Sequence, residues 1–165
     1  MDQALLERIQ RRHGSIQIVD FTIEYVDQVV LGAAEMHRNS IYSDMPLDNE
    51  KVVRELACCG RTVGDRYFRL AVRDGKVLGG FFGRVFMPFF CDDLVAQDAG
   101  WWVLEYARGT AAAILLLVDF EQWAREKGAK KVMVCQTTAL EIERTTKLYE
   151  HCGFSVIGFN TSKDL

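Results

Sequence analysis

Apolar positions recur along this chain with two periods, and the switches between them divide it into elements. Leu5, Leu6 and Ile9 give a short helical stripe before Gly14, and residues 16–21 then read as a first strand of mixed apolar and polar positions. Val26, Val29, Val30, Ala33 and His37 return at helical spacing, which predicts a helix from Tyr25 to about Asn39. A second helix opens at Asp48, a good N-cap, with Leu47 placed to pack against Val52, and ends near Gly60. Residues 67–72 and 77–86 are strand-like runs joined by Arg73-Asp74-Gly75-Lys76, whose Asp-Gly pair predicts a hairpin. Residues 87–100 read as irregular and acidic, and residues 101–104 as a short bulky strand.

After a sharp loop at Arg108-Gly109, a long helix is predicted over residues 110–127, closed by Gly128, with its first half apolar on every face. Residues 131–135 read as a buried strand. Thr138 and Glu141 have the spacing of a capping box opening the next helix, which ends in Leu148-Tyr149-Glu150-His151-Cys152-Gly153-Phe154; residues 154–159 follow as a last strand. The order β-α-α-β-β-β-α-β-α-β predicts an α/β fold. Its central sheet is mixed and mostly antiparallel, with a β-α-β crossover at residues 101–135 and flanking helices. The turn into the long helix stands out. Arg108-Gly109-Thr110-Ala111-Ala112-Ala113 carries little side-chain bulk around helix-opening amides, and such an N-terminus attracts anions such as a pyrophosphate.

Composition narrows the class. A chain of 165 residues, 49% hydrophobic and 26% charged, suits one folded domain with its own core. A net charge of -3 gives no broad pull toward nucleic acid or anionic lipid, so neither a nucleic-acid partner nor a membrane is expected. The most apolar run, residues 111–118, is far shorter than the roughly 20 residues that span a bilayer. The acidic start Met1-Asp2-Gln3 lacks the basic and apolar blocks of a secretory signal. Cys58, Cys59, Cys91, Cys135 and Cys152 are odd in number and form no C-x-x-C pair, which argues against disulfides and a zinc site and for reduced thiols in a cytosol.

Two stretches resemble the GNAT family of N-acetyltransferases. Arg108-Gly109-Thr110-Ala111-Ala112-Ala113 is similar to that family's cofactor motif, with Ala111 where glycine is usual, and Leu148-Tyr149-Glu150 followed by Gly153-Phe154 is similar to its other signature. They occur in the family's order, after a hairpin of the right kind. The resemblance implies one N-acetyltransferase-like domain over residues 1–165, with acetyl-CoA as acyl donor. Its pantetheine arm would lie along main-chain groups of Trp102, Val103 and Leu104, and its pyrophosphate at Arg108, Gly109, Thr110, Ala111, Ala112 and Ala113. A bulky residue at Ala111 is expected to weaken cofactor binding. An amine of a small molecule or protein attacks the thioester directly, and the departing thiolate needs a proton, a role the family gives to the position of Tyr149.

The candidate base is Asp98, then Glu105; a solvated loop for the first and a surface role for the second are the plainer readings. The helix-loop-helix at residues 35–48 resembles acetyltransferases encoded by bacteriophages, which would place the protein in the cytoplasm of a bacterial host cell. By the same resemblance Glu35, His37, Tyr42 and Asp44 would line the acceptor wall. Plainer readings stand beside these: a helix-end packing role for Tyr149, structural histidines at His37 and His151, small buried thiols at Cys91 and Cys152, and a sheet-covering role for Trp101 and Trp102. A solvated face accounts for Arg11-Arg12-His13. Exposed strand edges and a tryptophan-rich surface point to a homodimer. The alternatives in function are a non-catalytic relative, binding acyl-CoA or serving as a virion or interaction component, and an unrelated α/β enzyme.

Overall fold

The computed structural model describes residues 15–59, 64–158 and 160–163. The helical stripe at residues 5–9, the basic spot at residues 11–13, Gly60 and Phe159 lie outside the described residues.

Five strands form one sheet in sequence order: β1 (Gln17–Asp20), β2 (Arg66–Arg73), β3 (Lys76–Phe86), β4 (Val95–Val103) and β5 (Lys131–Met133). The first three pairings are antiparallel and β4 with β5 is parallel, so the predicted mixed, mostly antiparallel sheet is what forms. The hairpin turns at Asp74 (φ 52°) and Gly75 (φ 75°), two left-handed residues in succession, as the twist of a two-residue turn requires. Among the described residues the α-helices are α1 (Val26–Arg38), α2 (Asn49–Cys59), α3 (Ala112–Glu126) and α4 (Ile142–His151). Asp48 caps α2, its Oδ1 accepting the Lys51 N–H at 2.9 Å.

Period-two alternation in β2 and β3 sends side chains to two separate cores. Tyr67, Phe81 and Val85 meet Leu116, Leu117 and Phe120 of α3 on one face, while Phe68, Leu70, Val77 and Trp102 meet Val29 of α1 on the other. The Tyr67 hydroxyl donates to Asp119 Oδ2 at 2.6 Å, and Arg69 Nη1 reaches both carboxylate oxygens, at 3.0 and 2.9 Å, so α3 is tied to β2 by a satisfied polar cluster.

The structure corrects four expectations. Strand β4 begins at Val95, so its first half runs through residues expected to be irregular; pairing with β3 on one side and β5 on the other orders them despite their polarity. Helix α4 opens without a capping box: its N-cap position is Glu141 in a left-handed conformation (φ 44°), with no side-chain cap bond. Residues 154–158 are not a strand, and Val156 and Ile157 stay exposed, because among the described residues no strand supplies them with a ladder. The tryptophans do not make a surface: Trp102 and Trp123 are buried and Trp101 is half-buried, their rings drawn into the two cores.

Candidate active site

Strand β4 is paired on both edges only at its start. Val95, Ala96 and Gln97 face Lys131, Val132 and Met133 of β5, and from Asp98 onward no described strand lies on that side. A bulge sets this point. Phe82 of β3 faces Gly100 while Gly83 faces Asp98, which leaves Ala99 as an extra residue. Strict alternation would put Asp98 on the same face as Gly100 and Trp102. The extra residue moves it to the face of Trp101, opposite Gly83, where a Cβ would touch the Phe120 ring.

Asp98 therefore stands in the fork between the strands. Its Oδ1 accepts the Cys135 N–H at 2.9 Å, and the Tyr149 hydroxyl donates to the Cys135 carbonyl at 3.4 Å. One residue of the chain thus holds both candidate proton carriers. Burial raises the Asp98 carboxyl to about 6, against the opposing pull of the Cys135 hydrogen bonds. Burial also raises the Tyr149 phenol, helped by the charges of Asp98 and Cys135, so this hydroxyl keeps its proton throughout the physiological range. Trp101 and Phe154 flank the Tyr149 ring at 5.5 and 6.1 Å between centroids, which fixes its orientation.

A cleft of about 1020 Å³ runs along the fork, lined from α1, β4, the loop before α3, the loop after β5 and α4. At one end lies the predicted anion site. Gly109 turns the chain at φ 84°, and the first helical bond of α3 runs from Leu115 N–H to Ala111 C=O at 2.9 Å, so the Ala113 and Ile114 amides precede any intrahelical acceptor. Arg108 and Arg144 flank it: Arg144 Nη2 lies 3.9 Å from where a Gly109 Cβ would be. Arg108 Nη2 is 3.7 Å from Glu35 Oε1, and Arg144 Nη1 is 3.1 Å from Glu141 Oε2. Orphan amides, a helix dipole and two guanidinium groups suit a pyrophosphate.

The predicted residues divide as follows. Tyr149, Asp98, Trp102, Val103, Leu104, Arg108, Gly109, Thr110, Ala113, Glu35, His37 and Tyr42 line the cleft. Ala111, Ala112, Glu105 and Asp44 are not among the lining residues. The Ala111 and Ala112 methyls are buried in the α3 core, so a bulky residue at Ala111 acts on folding rather than by filling the cleft. Ala111→Leu is expected to cost about 1–3 kcal/mol by overpacking, read as a lowered midpoint in thermal denaturation. Glu105 exposes its side chain and contributes its amide, which donates to Glu35 Oε1 at 2.7 Å; Glu35 accordingly braces the anion loop. Asp44 lies in an exposed turn. Leu104 N–H donates to Leu78 C=O at 2.9 Å and so is occupied within the sheet. His37 Nε2 is buried with no hydrogen-bond partner among the described residues. Of the thiols, Cys152 is buried as expected and Cys91 is exposed.

Arg144, Glu141, Gln97, Cys135 and Asn160 also line the cleft and escaped the sequence reading. A signal existed for the first: Arg144, Thr145, Leu148 and Tyr149 fall on one stripe of a 3.6-residue helix. Among the described residues no cluster of three or more His, Cys, Asp or Glu could hold a metal ion, and no helix is long and apolar enough to cross a membrane.

A mixed sheet that forks beside a helix N-terminus is the architecture of the acyl-CoA N-acyltransferases. Residues 23–154 match the Acetyltransferase (GNAT) family model, and the chain belongs to that family. No curated protein matches the chain. Similar solved structures include an aminoglycoside N-acetyltransferase in complex with CoA (TM-score 0.70, 14% identity, 91% of this chain and 94% of that one). Another is glucosamine-6-phosphate N-acetyltransferase from Arabidopsis thaliana (TM-score 0.68, 14% identity, 90% and 97%). A third is ribosomal-protein-alanine N-acetyltransferase from Brucella melitensis biovar Abortus 2308 (TM-score 0.69, 15% identity, 92% and 99%).

Proposed function

We propose that this protein transfers an acetyl group from acetyl-CoA to a primary amine. The observation that carries the reading is the Cys135 junction, where a half-buried carboxylate and a half-buried phenol are held on the N–H and C=O of one residue at the mouth of the fork. The three acetyltransferases above are named for different amine acceptors: an aminoglycoside, an aminosugar phosphate and a protein alanine. The amine is the common chemistry. The Ala113 and Ile114 amides, Arg108 and Arg144 would hold the pyrophosphate, and Gly109 leaves room for it to approach the main chain. Bound acyl-CoA supplies an activated thioester carbonyl.

The amine attacks as the neutral base, its ammonium proton having left to solvent, and Asp98, ionised above about pH 6, takes the proton that nitrogen sheds as its bond to carbon forms. Tyr149 gives its proton to the departing sulfur as the carbon–sulfur bond breaks. The products are an amide and a free thiol, and return of the proton from Asp98 to Tyr149 through water resets the pair. The Ala111 methyl turns into the core and not into the cleft, so the alanine at this position is compatible with a pyrophosphate beside the Ala113 and Ile114 amides.

A thermal-shift titration tests the reading. A ligand at a hundred times its dissociation constant that binds only the folded protein stabilises it by about 2.7 kcal/mol. Acetyl-CoA and CoA are expected to give such a shift, and Arg144→Ala to weaken it about tenfold in apparent affinity. No shift with either thioester or thiol rejects the assignment; transfer of labelled acetyl to an amine completes it.

A further inference from the structure

The two ends of the cleft differ in chemistry, and the difference bears on the acceptor. The inference rests on the reading above. The α3–α4 side carries Arg144 and the helix amides, whereas the α1–α2 side sets Met36, Tyr42, Leu47 and Val52 beside Glu35, His37 and Ser40. Next to these in the chain, Ile41, Met45 and Val53 are exposed at 45%, 60% and 39%, so the apolar lining continues outward as a rim. Five of the fourteen large exposed apolar side chains among the described residues fall between positions 41 and 53. Such clustering on a surface marks a contact site rather than scattered exposure.

Charge points the same way. Three carboxylates line the cleft, and two have cationic partners: Glu35 with Arg108 and the Glu105 amide, Glu141 with Arg144. Among the described residues Asp98 has no cationic partner, its bonded partner being the Cys135 amide. Asp44, the other acid of this loop named above, is not among the lining residues. Within the cleft a polycation would place further ammonium groups against Met36, Leu47 and Val52, losing hydration with no free carboxylate among the lining residues beyond Asp98; the exposed Asp44, Asp48 and Glu50 stand outside that lining. One ammonium group on an apolar body meets one carboxylate and an apolar wall.

We propose that the acceptor is a primary monoamine carried on an aliphatic or aromatic body, and that Tyr42 and Leu47 select it. This chemistry has two sources, a small alkyl or aryl amine and a peptide whose first residue is apolar.

The test uses the full chain, acetyl-CoA and four amines: 2-phenylethylamine, the dipeptide amide Leu-Phe, spermidine and kanamycin. At least one of the first two is expected to show kcat/KM tenfold or more above both polycations, and which one does so identifies the source. Leu47→Asp, at a position already 36% exposed, is expected to raise KM for that amine about tenfold, leaving kcat and the CoA thermal shift unchanged. Faster acetylation of spermidine or kanamycin overturns the inference and leaves the acetyltransferase reading in place. A CoA shift without acetylation of either apolar amine, or a Leu47→Asp variant with unaltered KM, also overturns it. Absence of both CoA binding and turnover removes the underlying reading, and the inference with it.

Discussion

Asp98→Asn is expected to abolish most turnover while making the folded protein more stable at neutral pH. Asparagine keeps an oxygen that can accept the Cys135 N–H, so the fork retains its junction. It cannot take a proton, and losing a positioned base lowers kcat/KM by about 10²–10⁴. The stability change follows from the direction of the Asp98 shift, from 3.8 to about 6, caused first by burial. A carboxyl that holds its proton more tightly when folded contributes fully below about pH 4. Its contribution is lost as pH rises through 6, where the fold must accommodate a buried charge. Two units at 1.36 kcal/mol each put an upper bound on the order of 3 kcal/mol on the neutral-pH gain. Chemical denaturation at pH 5 and pH 8 reads it: the variant's advantage should grow with pH. The wild-type kcat/KM should fall below about pH 6, and that limb should vanish in the variant. A variant with wild-type turnover would remove Asp98 from the chemistry.

Tyr149→Phe is expected to slow the chemical step by about 10²–10³ and to leave CoA affinity as it was. The ring remains between Trp101 and Phe154, so packing is preserved, and the lost hydrogen bond to Cys135 is long at 3.4 Å. A burial-raised phenol has its proton at every pH at which the protein would be assayed, which suits a donor to a departing thiolate and excludes service as a base. Single-turnover measurement at saturating substrate separates this step from product release. Unchanged single-turnover rates would return Tyr149 to a packing residue.

These two residues were legible in the sequence to different degrees. Tyr149 sits in a helix-ending motif whose local spacing carries the resemblance, and the structure places it on the cleft. Asp98 looked like one acid in a solvated stretch. Its position depends on pairing with Gly83 of β3, 15 residues away, and on the N–H of Cys135 just past β5, 37 residues away, which no local window contains. Glu105 and Asp44 show the converse: both had the right chemical type and neither lines the cleft, because a backbone turn directs each outward.

What the sequence determined by itself is local. The Asp-Gly hairpin, the Asp48 cap, the apolar first half of α3 and the bare Arg108-to-Ala113 turn follow from backbone conformations and side-chain periods that act within a few residues. Tertiary structure decided the rest: the bulge at Ala99 that swings Asp98 across the sheet, the fork where β5 stops, the burial that raises the Asp98 carboxyl and the Tyr149 phenol, and the approach of Arg144 to Gly109. Strand register and burial arise from contacts between segments distant in the chain, so the chemistry they create appears only when those segments meet.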